Sequence, residues 1–105
     1  MKLIPTGKTL GATVEGLDLA QPLDVPVLEK VMHALGEHGV LRFPGQRLDA
    51  RQLRDCSAQL GDLEINVAGG PYQEPGIPEV MRLSNIVQDG RAIGLADAGQ
   101  DWHTD

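Results

Sequence analysis

The chain ends on Trp102, His103, Thr104 and Asp105, whose types and spacing are those of a metal-binding motif. A histidine and a carboxylate two positions apart on an extended segment lie on one face, about 6–7 Å apart along the strand. An imidazole nitrogen and a carboxylate oxygen can therefore reach one metal ion. They supply two ligands of a 2-His-1-carboxylate triad, which leaves open positions on a non-haem Fe(II) ion. No residue follows Asp105, so we expect a metal site of which this chain carries only the first part.

Two amphipathic helices are predicted ahead of this motif. The first has Asp24 as N-cap, Pro26 in its first turn and Gly39 after its last turn. Its inward stripe is expected to consist of Leu28, Val31, Met32 and Leu35. The second helix covers residues 50 to 60, with Asp49 as its cap and Gly61 at its end. Its expected inner stripe is Leu53, Cys56 and Leu60.

The remaining pattern indicates short strands and turns. Residues 9–19 read as an extended segment or short hairpin with bends at Gly11 and Gly16. Asp89 and Gly90 read as a turn. Strands are expected at 40–43 (mostly buried), 63–67, 79–85 and 102–105, with loops at 69–78 and 95–100. Helices gathered ahead of strands favour an α+β fold.

Composition narrows the class of protein. The 105 residues are 41% hydrophobic and 23% charged, as in globular proteins, with a net charge of -6. That acidic balance disfavours nucleic acid and anionic membrane as partners. No apolar run reaches the ~18 residues of a membrane span, and the N-terminus lacks a signal-peptide core. The single cysteine, Cys56, excludes an internal disulfide, so we expect a cytoplasmic protein.

Four ordered blocks resemble the taurine dioxygenase (TauD/TfdA-like) family of Fe(II)- and 2-oxoglutarate-dependent dioxygenases. Residues 11–19 (GATVEGLDL) look like its opening strand, and residues 38–43 (HGVLRF) like the element after its first helix. Residues 60–64 (LGDLE) resemble the step closing its second helix, and residues 102–105 (WHTD) its W-H-[ST]-D metal motif. The resemblance covers nearly the whole chain.

The resemblance implies a double-stranded β-helix (a jelly roll, clavaminate synthase-like) with two N-terminal helices, incomplete here. Residues 1–105 would be the N-terminal portion of a single dioxygenase domain, truncated at its C-terminus. His103 and Asp105 would be the first two Fe(II) ligands. A distal histidine and an arginine for 2-oxoglutarate are expected downstream of residue 105. The chain alone is therefore predicted to be inactive, and its cut strands to fold poorly.

For the intact protein, the resemblance implies hydroxylation of a small, anionic organic substrate with 2-oxoglutarate and O₂, releasing succinate and CO₂. The resemblance is also compatible with a homo-oligomer. Asn66, Tyr72 and Asn85 are candidate substrate contacts, each also readable as an ordinary exposed residue. Trp102 is expected to pack against a neighbouring layer. Two alternatives remain: a non-catalytic binding fold derived from such an enzyme, and another jelly-roll metalloenzyme.

Overall fold

The computed structural model describes residues 1–66 and 70–104. The chain forms two compact units, Met1–Asp62 and Leu63–Asp105. The first contains both helices and a three-stranded sheet, and the second contains two small antiparallel sheets. Within the described ranges, neither helix combines the length and apolarity that crossing a bilayer would require.

The sheet of the first unit has the strand order β1-β2-β3. β1 (Lys2–Pro5) pairs antiparallel with β2 (Ala12–Glu15), which pairs parallel with β3 (Leu41–Arg42). Ala12 and Val14 alternate inward and are buried, as a strand with one covered face requires. The prediction of an extended segment within residues 9–19 is confirmed by β2, whereas a hairpin formed within these residues is wrong, because β2 pairs with β1, which lies before residue 9. Gly11 and Gly16 have φ of 89° and 82°, so both bends are confirmed.

α1 (Val25–His38) begins and ends where its caps predict. The Asp24 carboxylate accepts a hydrogen bond from the Val27 amide at 3.0 Å. Gly39, at φ 72°, donates its N–H to the Leu35 carbonyl at 2.8 Å. The predicted stripe is only partly right. Val31 and Ala34 are buried, whereas Met32 is 42% and Leu35 37% exposed, because no element of the first unit covers that side of the helix.

α2 (Ala50–Leu60) has a complete capping box. Asp49 Oδ1 accepts from the Gln52 amide at 2.7 Å, and Gln52 Oε1 accepts from the Asp49 amide at 2.9 Å. Of the predicted inner stripe only Cys56 is buried; Leu53 and Leu60 are exposed.

β3 was predicted as a mostly buried strand over 40–43. It is a two-residue, half-buried strand at the edge of its sheet, and Val40 is exposed. A strand with a partner on one side only cannot be covered as fully as a central one.

The second unit is built from two hairpins. β4 (Gln73–Glu74) pairs with β5 (Ile77–Met81) with a register shift, directly after a turn of 3-10 helix at Gly70–Tyr72. β6 (Val87–Gln88) pairs with β7 (Arg91–Ala92). Asp89 and Gly90 between them have φ of 50° and 74°, the left-handed pair of a tight hairpin turn, so the predicted turn is confirmed.

Several strand bounds in this unit differ from the prediction. The expected loop over 69–78 contains β4 and the start of β5, because Gly76 (φ 76°) turns the chain back on itself. The strand expected at 79–85 ends at Met81. Residues 63–66 form no regular element, and Val67 lies outside the described residues.

A single parallel bridge, Leu83 to Leu95, joins the segments on either side of the second hairpin. The Ser84 amide donates to the Leu95 carbonyl at 3.1 Å, and the Leu95 amide donates to the Arg82 carbonyl at 3.0 Å. Gly94 is buried at this crossing. A Cβ there would lie 2.7 Å from the Ser84 nitrogen, so the close approach requires glycine.

Two helices and small sheets make an α+β protein, as the sequence predicts. The double-stranded β-helix stays a prediction, because the strands described here do not form one.

Candidate metal centre

The predicted metal motif lies at the end of an irregular segment. Leu95 begins the expected loop, which runs to Gln100, and Asp101 forms a bend. Residues 102–104 form no strand, so that prediction is wrong for them; a strand requires a paired neighbour, and no strand within residues 1–66 and 70–104 is paired with them. Asp105, the predicted carboxylate ligand, lies outside the described residues.

The ring of His103 is oriented by the main chain of its own segment. Nδ1 lies 2.8 Å from the Asp101 carbonyl oxygen. A carbonyl can only accept, so Nδ1 carries the hydrogen and donates it. In a neutral imidazole of this tautomer the lone pair is on Nε2. Metal-binding histidines commonly donate their other ring N–H to a carbonyl in this way. The arrangement therefore suits Nε2 for a metal ion.

Trp102 is fully exposed, with a relative accessibility of 105%. The expected packing role is wrong here, because that role assumed a strand with a layer behind it. The indole lies instead on the surface of the second unit, beside the histidine that it precedes in sequence.

Iron, the metal that the resemblance implies, requires three protein ligands. Among residues 1–66 and 70–104, no three His, Cys, Asp or Glu side chains come close enough to hold one ion. Of the two predicted ligands, His103 lies within the described part of the chain, and its Nε2 is the candidate donor. Its chemistry fits a borderline divalent metal.

The three candidate substrate contacts are not brought together. Asn66 and Asn85 are exposed and lie outside the helices and strands. Tyr72 ends the 3-10 turn, is half-buried, and lines an open groove of about 780 Å³ in the second unit. Neither asparagine, nor His103, is among the described residues that line this groove.

The groove also contains two arginines that sequence reasoning missed, Arg82 and Arg91. Arg82 is held at both main-chain groups: its amide donates to the Tyr72 carbonyl at 2.8 Å, and its carbonyl accepts from Leu95. Its Nε is buried and makes no hydrogen bond. The nearest carboxylate, Glu74, lies 4.0 Å from that nitrogen. The sequence pattern that could have pointed to Arg82 is a charged residue within the otherwise apolar stretch VMRL, residues 80–83.

Comparisons with known proteins match the chain to one family over almost its whole length. The model described as "Taurine catabolism dioxygenase TauD, TfdA family" matches residues 2–105. The (S)-phenoxypropionate/alpha-ketoglutarate-dioxygenase of Delftia acidovorans is 34% identical over 116 residues, covering 100% of this chain and 36% of the relative. Pentalenolactone F synthase of Streptomyces arenae is 31% identical, covering 94% of this chain and 33% of the relative.

Solved structures give the same result. A putative alpha-ketoglutarate-dependent taurine dioxygenase from Burkholderia xenovorans superposes with a TM-score of 0.70 at 31% identity, covering 76% of this chain and 28% of that one. A taurine dioxygenase from the same organism gives 0.71 at 29% identity, covering 76% and 28%. The chain spans about a third of the length of the curated relatives it matches, which are covered to 33% and 36%.

Proposed function

Because this chain belongs to the taurine catabolism dioxygenase TauD, TfdA family, we propose that the whole protein is an Fe(II)- and 2-oxoglutarate-dependent dioxygenase. It would hydroxylate a small organic anion and release succinate and CO₂. Residues 1–105 would be the N-terminal portion of one such domain, whose body is a double-stranded β-helix. Two relatives are named for 2-oxoglutarate-dependent action on phenoxypropionate and on sulfate esters, both anions, which supports this substrate class.

The observation that carries the proposal is the hydrogen bond from His103 Nδ1 to the Asp101 carbonyl. It selects the tautomer whose Nε2 can bind Fe(II), within the residues that resemble the family's metal motif. We propose Asp105 as the carboxylate ligand. Bound iron would supply oxygen activation coupled to decarboxylation of 2-oxoglutarate. The Asp101 carbonyl holds the His103 ring in place and keeps the ring hydrogen on Nδ1, the nitrogen that faces the main chain.

The bond to a main-chain carbonyl also provides a matched control. Asp101 orients His103 through its peptide oxygen, which every residue type has. Replacing Asp101 with alanine should therefore keep Fe(II) binding, whereas the same replacement at Asp105 should abolish it. The two variants remove the same side chain from positions four residues apart in the same segment.

The test measures two quantities on the whole protein: Fe(II) bound at equilibrium, and succinate formed from 2-oxoglutarate. We expect His103→Ala and Asp105→Ala to lose iron and at least about 100-fold in turnover, since second-shell changes alone cost about 10–100-fold. Asp101→Ala and His33→Ala, on α1, should match the wild type in both. Iron binding that survives His103→Ala would refute the assignment of the site.

The alternative of a non-catalytic binding fold predicts no succinate above the free-iron background, even with the motif intact. The 105-residue chain by itself is still predicted to be inactive. The contacts of Asn66, Tyr72 and Asn85 with substrate, the homo-oligomer and the cytoplasmic location also stay predictions.

A further inference from the structure

We propose that Gly99 is a positioning residue for His103: because residue 99 has no side chain, the imidazole ring can reach the Asp101 carbonyl with Nδ1 and offer Nε2 to a metal ion. This role rests on the proposed function, in which His103 is an iron ligand. Gly99 lies outside the predicted metal motif of residues 102–105, and its effect on the ring can be measured without iron.

The hollows around the His103 ring are formed by its own stretch of chain. Two open hollows, of about 400 and 380 Å³, are lined by this residue. The other described residues that line them all lie between positions 97 and 102, and none of these belongs to a helix or a strand. We therefore expect the path of one short irregular segment to decide how the ring is oriented.

Gly99 bends this segment back toward the ring. Ala98 and Gly99 form a turn, and φ of Gly99 is 75°. A Cβ placed on Gly99 would lie 3.4 Å from Cε1 of His103, and no other described heavy atom outside the adjacent residues would lie within 4 Å of it. The backbone of residue 99 is thus in contact with the ring four positions later.

Residue 99 faces the edge of the ring, between the two nitrogens. Cε1 is bonded to both Nδ1 and Nε2, so a Cβ above the ring face would come within 4 Å of all three atoms, yet it is that close to Cε1 alone. On one side of Cε1, Nδ1 donates to the Asp101 carbonyl at 2.8 Å. On the other side, Nε2 carries the lone pair. A side chain longer than a methyl group would therefore crowd the hydrogen bond, the metal-binding nitrogen, or both.

The same distance sets the size of side chain that position 99 accepts. At 3.4 Å a methyl group makes an ordinary van der Waals contact with the ring, so alanine should fit. Valine fills two of the three staggered positions beyond Cβ, which leaves it few ways to avoid the ring. A positive φ also disfavours any residue with a Cβ, and β-branched residues most of all. The test must therefore separate the effect of the side chain from that of the backbone.

The tautomer of His103 provides the measurement. It is read from the ¹⁵N resonances of the ring in the whole, iron-free protein at alkaline pH, where imidazole is neutral. The signals of His103 are those that disappear in His103→Ala. The wild type and Gly99→Ala should both carry the hydrogen on Nδ1. In Gly99→Val the Nδ1 signal should move toward that of an unprotonated nitrogen, because the ring is pushed away from the Asp101 carbonyl.

Gly76→Val is the matched control. Gly76 lies in the same unit with φ of 76°, and no heavy atom lies within 4 Å of a new Cβ there. The two valine variants thus carry the same backbone conflict and differ in what the new side chain meets. Gly76→Val should keep the wild-type resonances of His103. If Gly99→Val does not fold, Gly99→Asn replaces it, because asparagine tolerates a positive φ yet carries three heavy atoms beyond Cβ.

Fe(II) binding to the whole protein is measured separately. We expect Gly99→Val to weaken it about 10–100-fold, the usual effect of disturbing the support of a metal-bound histidine. Gly76→Val should leave it unchanged.

Three results would overturn the proposal: Gly99→Val leaving the ring resonances or the iron affinity unaltered, Gly99→Ala shifting the ring as far as Gly99→Val, or Gly76→Val doing so. Failure of the proposed function gives a different result. Fe(II) binding would then survive His103→Ala, whereas a ring that still responds to residue 99 and not to residue 76 would support the positioning of His103 by Gly99.

Discussion

Replacing Gly94 with alanine should loosen the bridge between Leu83 and Leu95. A Cβ at Gly94 would lie 2.7 Å from the Ser84 nitrogen and 2.9 Å from the Arg82 carbonyl oxygen. Both are main-chain atoms, and real Cβ atoms essentially never approach so closely. The two segments must therefore move apart, at the expense of hydrogen bonds of 3.1 and 3.0 Å.

Overpacking of this kind costs about 1–3 kcal/mol. If that cost falls on the local opening of the bridge, amide exchange speeds up by roughly five- to 150-fold, at 1.4 kcal/mol for each factor of ten. The amides of Ser84 and Leu95 report on it directly, because both donate across the bridge. The measurement is hydrogen exchange at these two amides in the whole protein, compared between the Gly94→Ala variant and the wild type.

Gly36→Ala is the matched control. Gly36 lies inside α1 with no heavy atom within 4 Å of the position of a new Cβ. The same substitution should stabilise the helix there by about 0.5–1 kcal/mol and slow exchange along α1. Unchanged exchange at Ser84 and Leu95 in Gly94→Ala would show that the bridge tolerates the methyl group and that our steric reasoning is wrong.

Two further substitutions and one labelling reaction test the first unit. Asp49→Ala should lower the free energy of unfolding by about 1 kcal/mol, measured in urea, because it removes the cap of α2. Gly39→Ala should cost about 1–2 kcal/mol in the same assay, since φ is 72° and Leu10 Cδ1 lies 2.8 Å from a new Cβ. Burial raises the pKa of the Cys56 thiol above its ordinary 9.0; thiol-reagent labelling should therefore be slow at pH 8 and accelerate in denaturant. Labelling at the unfolded rate would contradict that burial.

The ends of both helices could be predicted because capping is local. Asp24, Asp49 and Gly39 act on amides and carbonyls within four residues of themselves, so their types and positions suffice. The buried faces of the two helices were predicted less accurately than their ends. Met32 and Leu53 have the spacing of inward residues yet are exposed, because burial depends on which element packs against a helix, and periodicity does not contain that.

Strands were harder for a similar reason. The Asp89–Gly90 turn was predicted from its residue types, but β6 and β7 are two residues each, too short for any alternation to be visible. β4 was hidden in a loop rich in glycine and proline. His103 was proposed as a metal ligand from its type and spacing, and that role stays a prediction. The groove could not be predicted from the sequence, because Arg82 and Arg91 line it only once the hairpin and the bridge have formed.

The bridge between Leu83 and Leu95 closes residues 84–94 into an excursion whose two ends meet. Insertions or deletions at its tip would leave the path of the chain on either side unaltered. Most of the side chains that line the groove belong to this excursion, whereas the proposed metal-binding motif follows it. Changes in this one hairpin could therefore reshape the groove without altering the residues that follow the bridge.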